Sequence, residues 1–252
     1  MGTCVVTGSA SGLGAAVRTR LELAGHRVVG VDLRGAEVVA DLSDPGGREE
    51  AFAMVHRTAP ALDGVVAAAG LGPQVDDRAA LVAVNYFGAV ATLDGLHGAL
   101  AAGTRPAAVA VSSNSASTLP ADPELIAACL AGDEEAARAR AASLEGIVVY
   151  ATSKLALIQA VRRRVETWAA AGVRLNAVAP GPFRSALLDA TLADPQLGPA
   201  VESFPVPLGR VAETDEIAAV VTFLLGPEAS FVHGSVLFAD GGSDALLRPD
   251  GL

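Results

Sequence analysis

The chain has 252 residues, a formal net charge of −10, 51% hydrophobic residues and 4% aromatic residues. That length suits one α/β domain or two small ones, with apolar content enough for a large core. The negative charge repels phosphate backbones and the shortage of aromatics leaves no stacking platform, which excludes a nucleic-acid partner.

Thr3-Cys4-Val5-Val6-Thr7 is a β-branched run that reads as a buried strand. Gly8-Ser9-Ala10-Ser11-Gly12-Leu13-Gly14 follows, then a helical pattern through Val17, Leu21 and Leu23 that Gly25 closes. Val28 to Val31 form a second strand with Asp32 at its end. Strand, glycine-rich turn, helix, strand and acid are together the first half of a dinucleotide fold. The glycines let backbone approach a pyrophosphate at a helix N-terminus, and Asp32 accepts from both adenosine ribose hydroxyls. Arg34 is a thin counterweight for a 2′-phosphate, so NAD is expected over NADP.

Val38-Val39-Ala40 is a third short strand that leads to Asp41-Leu42. Asp41 either meets the adenine amino group or caps the helix that runs from near Pro45 to about Thr58. Asp63 to Ala69 form a fourth strand ended by Gly70, where small residues admit a ribose close to backbone. A long helical pattern runs from about Asp76 to Ala101 and carries Asn85, either a satisfied core amide or a water-holding kink. The residues alone favour the amide.

Ala107 to Val111 form a fifth strand that runs into Ser112-Ser113-Asn114-Ser115, at the strand end where open α/β sheets bind ligands. Residues 114–146 read as a helical insertion with one helix from about Pro123 to Ser143, supported by a Glu134–Arg138 pair. A helix that Tyr150 opens reaches about Ala170, and Arg162, Arg163 and Arg164 read as its solvated face. Val173 to Ala179 form a sixth strand ending in Pro180-Gly181. Residues 182–207, with five prolines, read as a mobile lid over an apolar pocket. Thr214 caps a further helix that Gly226-Pro227 stops, and Val236 to Ala239 are the last strand. The fold expected is a single Rossmann-type domain over 1–252: a doubly wound parallel sheet of about seven strands with helices on both faces.

Cys4 and Cys129 are the only cysteines, and burial of Cys4 in a strand argues for a reducing, cytoplasmic setting. No leader pattern opens the chain and no run approaches the roughly 20 apolar residues of a spanning helix, so no membrane association is expected. No metal-ligand cluster is expected either.

Tyr150 and Lys154, four residues apart, share one helix face. An ammonium beside a phenol favours the phenolate, equipment for moving a proton on or off an alcohol oxygen. These residues together resemble the short-chain dehydrogenase/reductase family over essentially the whole chain. The family's Thr-Gly-x-x-x-Gly-x-Gly loop appears as Thr7 to Gly14, and its Ser, Tyr and Lys as Ser113, Tyr150 and Lys154. The resemblance implies cofactor contacts at Gly8, Ser11, Gly12, Leu13, Asp32, Asp41, Leu42, Ala69, Gly70, Tyr150, Lys154, Pro180, Gly181, Phe183 and Ser185. It gives Asn85 a water-relay role. It implies an NAD-dependent enzyme in which Tyr150 is the acid/base, Ser113 binds the substrate oxygen, and Lys154 holds the ribose and lowers the phenol's pKa. Ser115 is a weaker alternative to Ser113.

Two departures stand out. The family's Asn-Asn-Ala-Gly is here Ala67-Ala68-Ala69-Gly70, which leaves open what holds the fourth strand's end. The insertion lengthens the segment between Ser113 and Tyr150 as in the bacterial 3α-hydroxysteroid dehydrogenase/carbonyl reductase subgroup. That likeness implies a small apolar alcohol or carbonyl substrate, and a homodimer through the C-terminal helix and strand. The rivals are an NAD-sensing or scaffolding protein and an acyl-thioester or sugar-alcohol reductase of the same fold.

Overall fold

The computed structural model describes residues 2–251. In chain order the first half holds β1 (Thr3–Thr7), α1 (Gly12–Leu23), β2 (Arg27–Asp32), β3 (Val38–Val39), α2 (Pro45–Thr58) and β4 (Gly64–Ala67). Next come α3 (Arg78–Val82), a π-helical turn (Ala83–Gly88), α4 (Ala89–Ala101) and β5 (Ala107–Val111). The 114–146 segment holds α5 (Ser115–Thr118), α6 (Pro123–Ala131) and α7 (Glu134–Ala142). It is followed by α8 (Gly146–Arg163), α9 (Val165–Ala170) and β6 (Arg174–Pro180). The chain then adds α10 (Ala186–Leu192), α11 (Gly198–Glu202), α12 (Thr214–Leu225), β7 (Val236–Ala239) and α13 (Ser243–Leu247).

The seven strands form one parallel sheet in the order β3-β2-β1-β4-β5-β6-β7. Side chains alternate across it. Val5, Val29, Val65 and Ala108 face a core shared with Leu93, Leu96 and Leu157 of α4 and α8. Val6, Val28, Val66 and Val109 face the opposite core with Val17 of α1 and Val221 of α12. Because β1 pairs with both β2 and β4, the winding reverses there. A crevice therefore opens above the carboxyl ends of β1 and β4.

Local chemistry corrects several boundaries. The insertion is two helices, not one: Gly132 adopts φ 74°, which ends α6, and the Asp133 carboxylate caps α7 by accepting from Ala136 N at 3.0 Å. Tyr150 lies one turn inside α8, because that helix starts at Gly146. A methyl at Gly146 would stand 2.2 Å from the Pro73 carbonyl, so only glycine lets α8 begin against the β4 loop. The same pattern breaks at Arg164 into α8 and α9. Arg164 itself pairs with Asp94 at 2.5 and 2.7 Å, while Arg162 and Arg163 are exposed as expected. Glu213, not Thr214, is the N-cap of α12, in a reciprocal box with Glu216. Asp44, not Asp41, caps α2, accepting from Gly47 N at 2.7 Å.

The rod Arg78–Ala101 is long and apolar enough to cross a bilayer, with mean hydropathy 1.4, contrary to expectation. Its Leu81, Leu93, Leu96 and Leu100 are fully buried in the core, which accounts for the composition.

Candidate active site

The glycine turn is built by close backbone contact. Gly8 adopts φ 69° and a methyl there would stand 2.9 Å from the Ala69 α-carbon. A methyl at Gly14 would meet the Gly8 carbonyl at 2.1 Å, which fixes how tightly α1 leaves the turn. Asp32, at the end of β2, accepts from Ala10 N at 3.0 Å and from Leu33 N at 2.7 Å. Asp41 is exposed just past the β3 register partner of Asp32, and Leu42 beside it is buried. Nearby, Arg18 is held by Glu37 at 2.6 and 3.0 Å and by Glu22 at 2.8 Å.

The missing asparagines of β4 are replaced by backbone and one hydroxyl. Thr7 Oγ1 accepts from both Ala68 N and Ala69 N at 3.1 Å. Asn85, fully buried in the π-turn, accepts from Leu71 N at 2.7 Å and donates to Leu71 O at 2.9 Å. Its amide is therefore satisfied, and the turn around it is the kink. Gly70 lies between Asn85 and Lys154: a methyl there would stand 3.3 Å from Asn85 Oδ1 and 3.5 Å from Lys154 Nζ.

Ser113 lies two residues past the end of β5 and its Oγ accepts from Ser115 N at 3.2 Å. Ser112 Oγ donates to Lys154 O at 2.9 Å, pinning α8 to the end of β5. Lys154 Nζ donates to Val111 O at 3.0 Å and lies 5.8 Å from the centre of the Tyr150 ring. Burial lowers the Lys154 pKa from 10.5 to about 8. Burial also raises that of Tyr150, against a downward pull from the Ser113 hydroxyl. Taking each group out of water disfavours its charged form.

Ser113, Tyr150 and Lys154 line one cleft of about 410 Å³ together with Gly8, Ser11, Gly12, Leu13, Ala69, Gly70, Pro180, Gly181, Phe183 and Ser185. Asp32, Asp41 and Leu42 lie outside it at the β2–β3 end, and Asn85 sits behind its wall. Ser185 accepts from Leu188 N at 3.2 Å, which starts α10. Ser115 also lines the cleft, with its Oγ buried and unpartnered. Ile147, Leu119, Val201 and Phe204 complete the apolar wall, and sequence reasoning singled out none of them. Their signal was weak: they come from the insertion's first turn, the start of α8 and the region of α11. Among the described residues no cluster of His, Cys, Asp or Glu is arranged to hold a metal ion.

A family model described as Enoyl-(Acyl carrier protein) reductase matches residues 8–244. The chain is 46% identical over 254 residues to a 3-alpha-hydroxysteroid dehydrogenase/carbonyl reductase of Comamonas testosteroni, covering 99% of both. The chain belongs to the short-chain dehydrogenase/reductase family. As a member of it, the protein is a nicotinamide-dependent oxidoreductase. The crystal structure of the 3-alpha-hydroxysteroid dehydrogenase from Pseudomonas sp. B-0831 complexed with NADH superposes with TM-score 0.95 at 47% identity. That match covers 99% of this chain and 100% of the other. The ligand-free aldohexose dehydrogenase of Thermoplasma acidophilum shares the fold at TM-score 0.75 and 22% identity, covering 96% and 93%.

Proposed function

We propose that this chain interconverts a secondary alcohol and a ketone on an apolar substrate, with NAD(H) as the hydride carrier. The observation that carries the proposal is the cleft itself. A hydroxyl, a phenol and an ammonium line it together with the glycine turn of a dinucleotide site, and most of the remaining lining is apolar. Tyr150 moves the proton at the substrate oxygen. Ser113 hydrogen-bonds that oxygen and stabilises charge developing on it. Lys154, with one donor on Val111 O, keeps two more for ribose hydroxyls. Bound nicotinamide supplies the hydride exchange and, when oxidised, a positive charge that adds to that of Lys154. Asn85 holds the β4 loop through Leu71 while the π-turn around it positions any water behind Lys154.

Asp32 accepts ribose hydroxyls, Arg18 near the glycine turn is neutralised by Glu37 and Glu22, and exposed Arg34 is the thin counterweight left for a 2′-phosphate. This supports NAD over NADP. Leu42 and the Asp41 carboxylate frame the adenine. Pro180, Gly181, Phe183 and Ser185 border the nicotinamide end, and 182–207 acts as the lid over it. The Comamonas and Pseudomonas relatives are named for 3-alpha-hydroxysteroids, and the apolar wall suits a hydroxysteroid or an aromatic carbonyl compound. Free thiols at Cys4 and Cys129, both pushed up to about 12 by burial, suit a cytoplasmic setting.

Exposed Phe223 of α12, Leu237 of the edge strand β7 and Phe231 support a homodimer through these elements. Sedimentation velocity giving a monomer or tetramer at micromolar concentration would refute that assembly.

The enzymatic reading is tested by turnover of a panel of 3α- and 3β-hydroxysteroids and aromatic ketones with NADH or NADPH. Turnover with a clear NADH preference is expected. Tight NADH binding with no turnover across the panel would favour the sensing protein instead.

A further inference from the structure

The insertion does more than occupy surface. Glu134, at the start of α7, accepts from Arg48 Nη2 at 2.6 and 2.8 Å. The same carboxylate accepts from Arg138 at 2.8 and 3.0 Å. Arg138 Nη2 donates onward to the Ser43 carbonyl, and Arg48 Nε reaches the Asp44 carbonyl at 3.4 Å. The Arg48 side chain is 7% exposed, that of Glu134 20% and that of Arg138 32%, so the Arg48–Glu134 pair is largely desolvated and Arg138 sits at its rim. Solvent screens that buried pair little.

The two carbonyls it grips belong to the loop 41–44. Within the loop itself Ser43 N donates to Asp41 Oδ1 at 2.8 Å, Asp44 caps α2 through Gly47 N at 2.7 Å, and Leu42 is buried against the π-turn at Gly88; the Ser43 carbonyl is held by Arg138. The insertion's other end is fixed to α8. Asp122 N donates to Thr152 Oγ1 at 2.9 Å, and Arg140 binds the Asp122 carboxylate at 2.5 and 3.1 Å. One rigid piece therefore joins the helix that carries Tyr150 and Lys154 to the loop that carries Asp41 and Leu42.

We infer that Arg138 and Glu134 are positioning residues for the cofactor, holding the 41–44 loop in the shape that receives its adenosine end. The inference rests on the cofactor site proposed above. A loop held before binding loses less conformational freedom when the ligand arrives, so the clamp acts on affinity and not on the chemical step.

The test compares NADH with reduced nicotinamide mononucleotide, which lacks the adenosine half. Arg138→Ala is expected to weaken NADH binding about five- to tenfold, in the range of one ordinary hydrogen bond, because the loop keeps its other anchors. Turnover at saturating NADH, and kcat/KM with the mononucleotide, should stay at wild-type values. Glu134→Gln keeps the volume and a weaker acceptor, and should weaken NADH binding about two- to fivefold; it carries the test should Arg138→Ala fail to fold. Unchanged NADH affinity in the folded variant, or equal losses with both cofactors, overturns the clamp. Wild-type protein that binds no NADH overturns the cofactor site instead, so the two failures are distinct.

Discussion

Replacing Lys154 with methionine should make the protein more stable at pH 7 while removing its activity. Lys154 is 5% exposed, and burial brings its pKa from 10.5 to about 8. That drop corresponds to roughly 3 kcal/mol of destabilisation. Below pH 8 both the folded and the unfolded lysine are protonated, so the penalty is present in full. Between about pH 8 and 10.5 the unfolded chain binds more protons than the folded one, and stability rises with pH as the penalty fades. Methionine keeps an unbranched side chain of similar length and carries no charge. It loses the donor to Val111 O, worth about 1–2 kcal/mol. The net gain at pH 7 is about 1–2 kcal/mol, a rise in Tm of about 2–8 °C for a chain of this size. Urea unfolding at pH 7 and pH 10 reads both the gain and its loss. A variant less stable than wild type at pH 7, or an advantage unchanged at pH 10, would refute the reasoning. The gain in stability with loss of function is the trade expected where a site holds a desolvated charge for chemistry.

Two further substitutions probe the cofactor crevice. Thr7→Val leaves the Ala68 and Ala69 N–H groups without their shared acceptor and should lower stability by about 2–4 kcal/mol in urea. NADH affinity should fall with it, because those residues lead into Gly70. Gly14→Ala improves helix propensity yet places a methyl 2.1 Å from the Gly8 carbonyl. Titration of nicotinamide fluorescence should show NADH affinity reduced by at least about a hundredfold, the turn having opened to make room.

Where local chemistry decides structure, the chain is readable. β1 and β5 begin and end as expected, because their β-branched and alanine runs are bounded by glycine, proline or serine. The glycine turn and Asp32 could be placed because backbone approach to a pyrophosphate demands them at that spacing. α8 starts four residues ahead of Tyr150, over Gly146-Ile147-Val148-Val149, whose glycine and β-branched residues are poor helix formers that do not announce it. The helix begins there through a tertiary contact with Pro73, 73 residues earlier. The break at Gly132 needed a positive φ that glycine permits but does not announce. Glu134 could be paired locally with Arg138, but its partner Arg48 lies 86 residues away and no periodicity reports it.

The central claim is that Tyr150 moves the proton at the substrate oxygen. Tyr150→Phe keeps the ring and removes only the hydroxyl, so single-turnover reduction of an accepted ketone by bound NADH tests it most directly. The rate should fall at least about a thousandfold, within the range for loss of a general acid, with NADH affinity within about twofold of wild type. A rate within tenfold of wild type would contradict the account.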